Sequence, residues 1–131
     1  MNTELPPLVL VADDDPLLRA VLEHKLVAGG YRVAQAGNGQ EALELADRLS
    51  PAATVLDAMM PFMDGFETLR RMKAAPRTQG CAVIMLTALK RDEDVVNALQ
   101  LGAADYLAKP FNPDELILRL KRLVPIGTGR A

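Results

Sequence analysis

The chain is poor in the side chains that most often do chemistry. Its 131 residues include one cysteine, one histidine, no tryptophan, two tyrosines and three phenylalanines. A single cysteine, Cys81, excludes an internal disulfide framework and suits a reducing cytoplasm. It lies beside an apolar run, which reads as a buried structural thiol. The one histidine, His24, falls within a helical pattern and reads as a surface residue, not a phosphohistidine. Met1 to Pro7 lacks the basic start and apolar stretch of a signal peptide. No run approaches the ~18 apolar residues that span a bilayer. Lys and Arg number 15 against 17 Asp and Glu, a net charge of -2, so no global field draws the domain to nucleic acid or membrane. Neither a G-x-x-x-x-G-K-[ST] loop nor a G-x-G-x-x-G turn occurs, so no nucleotide cradle is present. The expectation is one cytoplasmic domain that binds neither nucleic acid nor membrane.

Against that background, four short apolar runs stand out, each ending in a polar residue. Leu8–Ala12 precedes Asp13 and Asp14, and Ala53–Leu56 precedes Asp57. Val83–Leu86 precedes Thr87, and Tyr106–Ala108 precedes Lys109. Runs of this length between helical patterns read as buried parallel strands. A fifth segment, Tyr31–Gln35, alternates in polarity and suits a half-exposed edge strand.

Helical stripes separate the strands. Asp15 caps the first helix and Pro16 begins it, with Leu18, Val21, Leu22 and Leu26 inward and Gly29-Gly30 ending it. The second starts near Asn38-Gly39, carries Ala42, Leu43, Ala46 and Leu49, and stops at Ser50-Pro51. The third follows the Pro61 and Asp64-Gly65 turns with Phe66, Leu69 and Met72 inward. Asp92, Glu93 and Asp94 open the fourth, which has Val95, Ala98 and Leu99 inward and ends at Gly102. The last is capped by Asn112, begins at Pro113 and carries Leu116, Ile117, Leu120 and Leu123. Its basic end, Arg119, Lys121 and Arg122, reads as solvated. Strict alternation predicts an α/β, doubly wound, five-stranded parallel sheet of order 2-1-3-4-5 with helices on both faces. Residues 1–7 then form an N-terminal tail, 8–124 the domain, and 125–131 a tail or the start of a linker.

Functional groups of such sheets gather at the carboxyl ends of the strands. Asp13, Asp14, Asp57, Thr87 and Lys109 therefore converge. Three adjacent carboxylates repel, which a hard divalent cation relieves. Oxygen-only ligation favours Mg²⁺, with Mn²⁺ as a substitute, over zinc. An aspartate can act as a nucleophile toward phosphorus, with Lys109 pairing to a phosphoryl oxygen and Thr87 donating a hydrogen bond. With no nucleotide site, the phosphoryl group must arrive activated on a donor.

The ordered segments Leu10-Val11-Ala12-Asp13-Asp14-Asp15-Pro16, Asp57-Ala58-Met59-Met60-Pro61 with Asp64-Gly65, Leu86-Thr87-Ala88 and Leu101–Phe111 carry a resemblance. With Asn38–Leu43 they make the chain, from Leu8 to Val124, resemble the response-regulator receiver domains of bacterial two-component signalling, a flavodoxin-like fold. The resemblance implies that Asp57 is the phosphoacceptor and that a sensor histidine kinase or phosphotransfer protein is the donor. It implies Mg²⁺ on Asp14, Asp57 and the backbone carbonyl of Met59, with Asp13 acting mainly through a water. It also implies a cis Lys109-Pro110 bond, a Thr87–Tyr106 switch pair, and a partner or homodimer face built from the fourth helix, fifth strand and fifth helix. Such a domain is not a stand-alone enzyme, although it takes part in its own phosphorylation and dephosphorylation. Phe62 stands where glycine is frequent and places an apolar side chain beside the site. Met59 and Leu89, two residues beyond the acceptor and the switch threonine, are apolar and predict a long-lived phosphoryl group.

Two other readings compete. Asp13-x-Asp15 resembles the opening of haloacid-dehalogenase-type phosphotransferases, which would make Asp13 the nucleophile but leave Asp57 and its Met-Pro loop unexplained. A pseudo-receiver would keep the fold without phosphorylation, against the intact acid pair, Asp57, Thr87 and Lys109.

Overall fold

The computed structural model describes residues 5–88 and 91–126. Strands β1 (Leu8–Ala12), β2 (Arg32–Ala36), β3 (Ala53–Asp57), β4 (Ala82–Thr87) and β5 (Asp105–Ala108) alternate with five helices. These are α1 (Pro16–Ala28), α2 (Gly39–Leu49), α3 (Gly65–Ala74), α4 (Asp92–Gln100) and α5 (Pro113–Leu123). All pairings are parallel and the order is β2-β1-β3-β4-β5, as the alternation predicts.

The burial of each strand follows its place in the sheet. β3 is central and buried at every residue, whereas β2, at the edge, is only partly buried. Successive side chains point to opposite faces, so the sheet builds two cores. Leu10, Leu56, Val83 and Met85 meet Ala42 and Ala46 of α2, Leu69 and Met72 of α3 and Ala98 of α4. Val9, Val11, Val55, Ile84 and Leu86 meet Leu22 and Leu26 of α1 and Leu116 and Leu120 of α5. Burying a leucine of this kind contributes about 2 kcal/mol, so these two layers supply most of the drive to fold.

The helix boundaries have local causes. Asp15 Oδ1 accepts from the Leu17 and Leu18 amides, and Pro16 needs no partner for its nitrogen. Asn38, Asp64 and Asn112 cap α2, α3 and α5 in the same way. Gly102, at φ +110°, turns the chain out of α4. Four residues expected inward are exposed: Val21, Leu49, Leu99 and Leu123. They lie on the flanks or last turns of their stripes. A helix packed on a flat sheet covers a narrower arc than its apolar stripe spans. Cys81 is buried, with its sulfur 3.2 Å from Thr54 Oγ1, and burial raises its pKa. Among the described residues, no helix is long and apolar enough to cross a membrane.

Candidate functional site

Register decides which strand ends become neighbours. Ala12 pairs with Leu56, so Asp13 and Asp57 follow side by side. Asp57 pairs with Leu86, which sets Thr87 one step beyond. Thr87 pairs with Ala108, which sets Lys109 one step beyond that. The result is a stagger of polar ends across the carboxyl edge of β1, β3, β4 and β5.

Asp13, Asp14 and Asp57 each offer a carboxylate oxygen, and these oxygens lie within 4.8 Å of one another. Asp13 and Asp57 are buried and Asp14 is exposed. Lys109 closes the cluster, with Nζ 2.9 Å from Asp13 Oδ2 and 3.3 Å from Asp57 Oδ1. The expected cis peptide joins Lys109 to Pro110. Asp15 is outside the cluster, because its carboxylate caps α1.

Electrostatics follow from this packing. Burial raises the Asp57 pKa and the neighbouring Asp13 charge raises it further; Lys109 and the Met59 backbone N–H pull it back only in part. For Lys109, burial disfavours the ammonium, but Asp13 and Asp57 outweigh it and the net shift is upward. The lysine therefore stays protonated and holds two carboxylates together that would otherwise repel.

The loop after Asp57 is held close by Gly65. The Gly65 N–H donates to the Ala58 carbonyl at 2.8 Å. A Cβ on Gly65 would come within 2.2 Å of the Asp57 carbonyl oxygen. Only glycine lets the start of α3 approach the acceptor strand this closely. In the same loop, Phe62 corrects an expectation. Its side chain is fully exposed (102%), so it makes no apolar contact beside the site, and its φ of +71° is left-handed. Met59 is also exposed, and Leu89 lies outside the described residues.

Behind the cluster, Thr87 is buried and hydrogen-bonds with the half-buried Tyr106. Burial raises the Tyr106 pKa, and the charge of Asp94 adds to that. Arg119 Nη1 donates to Asp105 at 2.9 Å and to the Tyr106 carbonyl at 3.2 Å, tying α5 to β5. Arg91 pairs with Asp94 at 3.0 Å on the neighbouring helix. Sequence reasoning passed over Arg19. Its guanidinium donates to the Asp13 carbonyl at 2.7 Å, a contact that a basic residue one turn into a helix does not announce.

Comparison with known proteins agrees with this architecture. The chain is 38% identical to the DNA-binding dual master transcriptional regulator RpaA of Synechocystis over 118 residues, 90% of this chain and 49% of that protein. It thus spans about half the length of the curated relatives it matches. The receiver domain of the Francisella response regulator 1452 superposes with a TM-score of 0.85 at 37% identity, covering 90% of this chain and 96% of that one. The receiver domain of the Pseudomonas aeruginosa sensor histidine kinase PA1611, solved with a magnesium ion coordinated in its active-site cleft, gives 0.82 at 35% identity, covering 90% and 97%. The family model described as the response regulator receiver domain matches residues 9–121, and on that match, with the fold and the relatives, this chain is a member of that family of two-component signal transduction.

Proposed function

We propose that Asp57 accepts a phosphoryl group from a sensor histidine kinase or phosphotransfer protein, and that the modified domain signals through α4, β5 and α5. The observation that carries this reading is the joining of Asp13, Asp14, Asp57 and Lys109 at one sheet edge, with Thr87 at the end of the next strand.

The donor set fits a hard divalent cation: three carboxylates whose oxygens already lie within 4.8 Å, and no sulfur or imidazole. Asp13, Asp14, Asp57 and the Met59 backbone carbonyl would hold Mg²⁺, with Mn²⁺ as a substitute. When bound, the ion neutralises the carboxylate and phosphoryl charges that otherwise repel each other. A carboxylate oxygen of Asp57 forms the O–P bond as the donor's P–N bond breaks, and the histidine leaves with the electron pair. Lys109, already 3.3 Å from Asp57, pairs with a phosphoryl oxygen. The Thr87 hydroxyl donates to another, which draws it from Tyr106 and biases a two-state equilibrium of the face beyond.

That face carries Arg91, Asp94, Asp105, Arg119 and Lys121, mixed charges suited to a two-fold homodimer. The net charge of the whole chain, -2, sets up no global attraction to nucleic acid, so output falls to a partner or a separate unit. The signalling unit is residues 8–124, flanked by 1–7 and 125–131, and it works in the cytoplasm. Amide chemical shifts with and without a beryllofluoride mimic and Mg²⁺ test the reading. Changes should reach from Asp57 to Thr87, Tyr106, α4 and α5. Changes confined to the Asp57 loop would reject the switch.

A further inference from the structure

Within the acid cluster, Asp13 and Asp57 are fixed by their own side chains. Asp13 Oδ1 accepts the Asp15 amide at 2.9 Å, and its Oδ2 accepts from Lys109 at 2.9 Å. Asp57 is held by Lys109 and the Met59 amide. Asp14 differs. Its carboxylate is exposed, and among the described residues it has no hydrogen-bond partner. The origin of that side chain and the direction of its Cα–Cβ bond, and so the space its rotamers can reach, are therefore set by the backbone.

That backbone is gripped from one side. The Asp13 carbonyl and the Asp14 nitrogen share one planar peptide, so fixing the carbonyl fixes how the chain enters Asp14. Arg19 Nη1 donates to that carbonyl at 2.7 Å, in the range of a charge-assisted bond. The guanidinium is itself held, because Nε donates to Gln35 Oε1 at 3.0 Å and Gln35 Nε2 donates to Glu23. One peptide earlier, the Asp13 amide donates to the Ala36 carbonyl at 3.1 Å. The peptide before Asp14 is thus tied to α1 through Arg19, and the one before it is tied to β2.

We infer that Arg19 is a positioning residue for Asp14, holding the Asp13–Asp14 peptide so that the otherwise unsupported Asp14 carboxylate faces the cation site. The inference rests on the reading of the acid cluster as a Mg²⁺ site. Arg19 touches neither the ion nor the phosphoryl group, and it acts through one carbonyl. Its charge and its two-point hold both matter. A lysine reaches the carbonyl with one donor but cannot also engage Gln35 in a fixed plane.

The test is a MgCl2 titration of the full chain, followed by the amide signals of Asp14 and Met59, with thermal midpoints measured in parallel without metal. Arg19→Ala should weaken Mg²⁺ binding on the order of tenfold, the effect of losing an outer-shell partner of a metal ligand. Arg19→Lys, which keeps the charge but loses the Gln35 contact, should recover only part of that affinity. A merely structural arginine would lower the midpoint and leave Mg²⁺ affinity unchanged, which would overturn the inference. Should Arg19→Ala fail to fold, Gln35→Leu keeps the charge and removes its anchor. Weaker Mg²⁺ binding in that variant supports the clamp, and wild-type binding overturns it. Asp14→Asn separates the two levels of the argument. If wild type and Asp14→Asn bind Mg²⁺ equally, or neither binds, the metal-site reading has failed and the inference falls with it. If only Asp14→Asn is impaired, the site stands and the role of Arg19 fails.

Discussion

The Lys109 ammonium lies 3.3 Å from the Asp57 carboxylate, yet Asp57 is harder to ionise than an ordinary aspartate. Burial and the charge of Asp13 together exceed what Lys109 and the Met59 amide return. The acceptor carboxylate is therefore held at a cost to folding.

Asp57→Asn should raise the metal-free stability at neutral pH by about 1 kcal/mol, or ~4 °C in thermal midpoint. The sign follows from the upward shift. The folded state keeps the Asp57 proton over a pH range where the unfolded chain has lost it. The group's contribution is thus most favourable below its ordinary value of 3.8 and is lost as pH rises through the folded value. The advantage of the asparagine variant should shrink as pH falls through the same window. A lower midpoint for Asp57→Asn at pH 7, in chelator, would show that the Lys109 pairing outweighs burial.

Phe62 supports no core contact and occupies a left-handed backbone region that costs a non-glycine residue about 1–2 kcal/mol. Part of the gain on substitution by glycine is offset by the greater freedom of the unfolded chain. Phe62→Gly should therefore raise the thermal midpoint by ~2–4 °C and leave labelling by a small phosphodonor unchanged. A fall in the midpoint would mean that the exposed ring packs against something in solution.

Met59 is exposed at the rim and cannot orient a water by hydrogen bonding. Decay of the phosphorylated protein should accelerate several-fold in Met59→Asn. Unchanged or slower decay would mean that the side chain does not govern access of water.

The strand ends were legible because buried parallel strands are written as uninterrupted apolar runs. The first polar residue after each run then marks the edge of the sheet. Thus Asp13, Asp57 and Thr87 declared their neighbourhood without any structure, whereas the run before Lys109, read as buried, belongs to the edge strand β5, in which only Leu107 is buried. Register was not legible, since nothing local says that Ala12 faces Leu56 and so brings Asp13 beside Asp57. The close approach of Gly65 to the Asp57 carbonyl was hidden for the same reason, and its sequence context reads only as a turn. Arg19 was invisible because its partner is a backbone carbonyl, which every residue has. Val21, Leu49, Leu99 and Leu123 misled because periodicity reports a stripe, not the arc that the sheet covers. Phe62 misled because apolar character says nothing about φ.

The most direct test of the account is labelling by a small acyl-phosphate or phosphoramidate donor, with the modified residue mapped by mass spectrometry after borohydride trapping. One phosphoryl group should appear on Asp57, only with Mg²⁺ or Mn²⁺ present. Asp57→Asn should abolish it, and Asp15→Asn, which alters only the α1 cap, should leave most of it. Full labelling of Asp57→Asn, or a label on Asp13, would contradict the account.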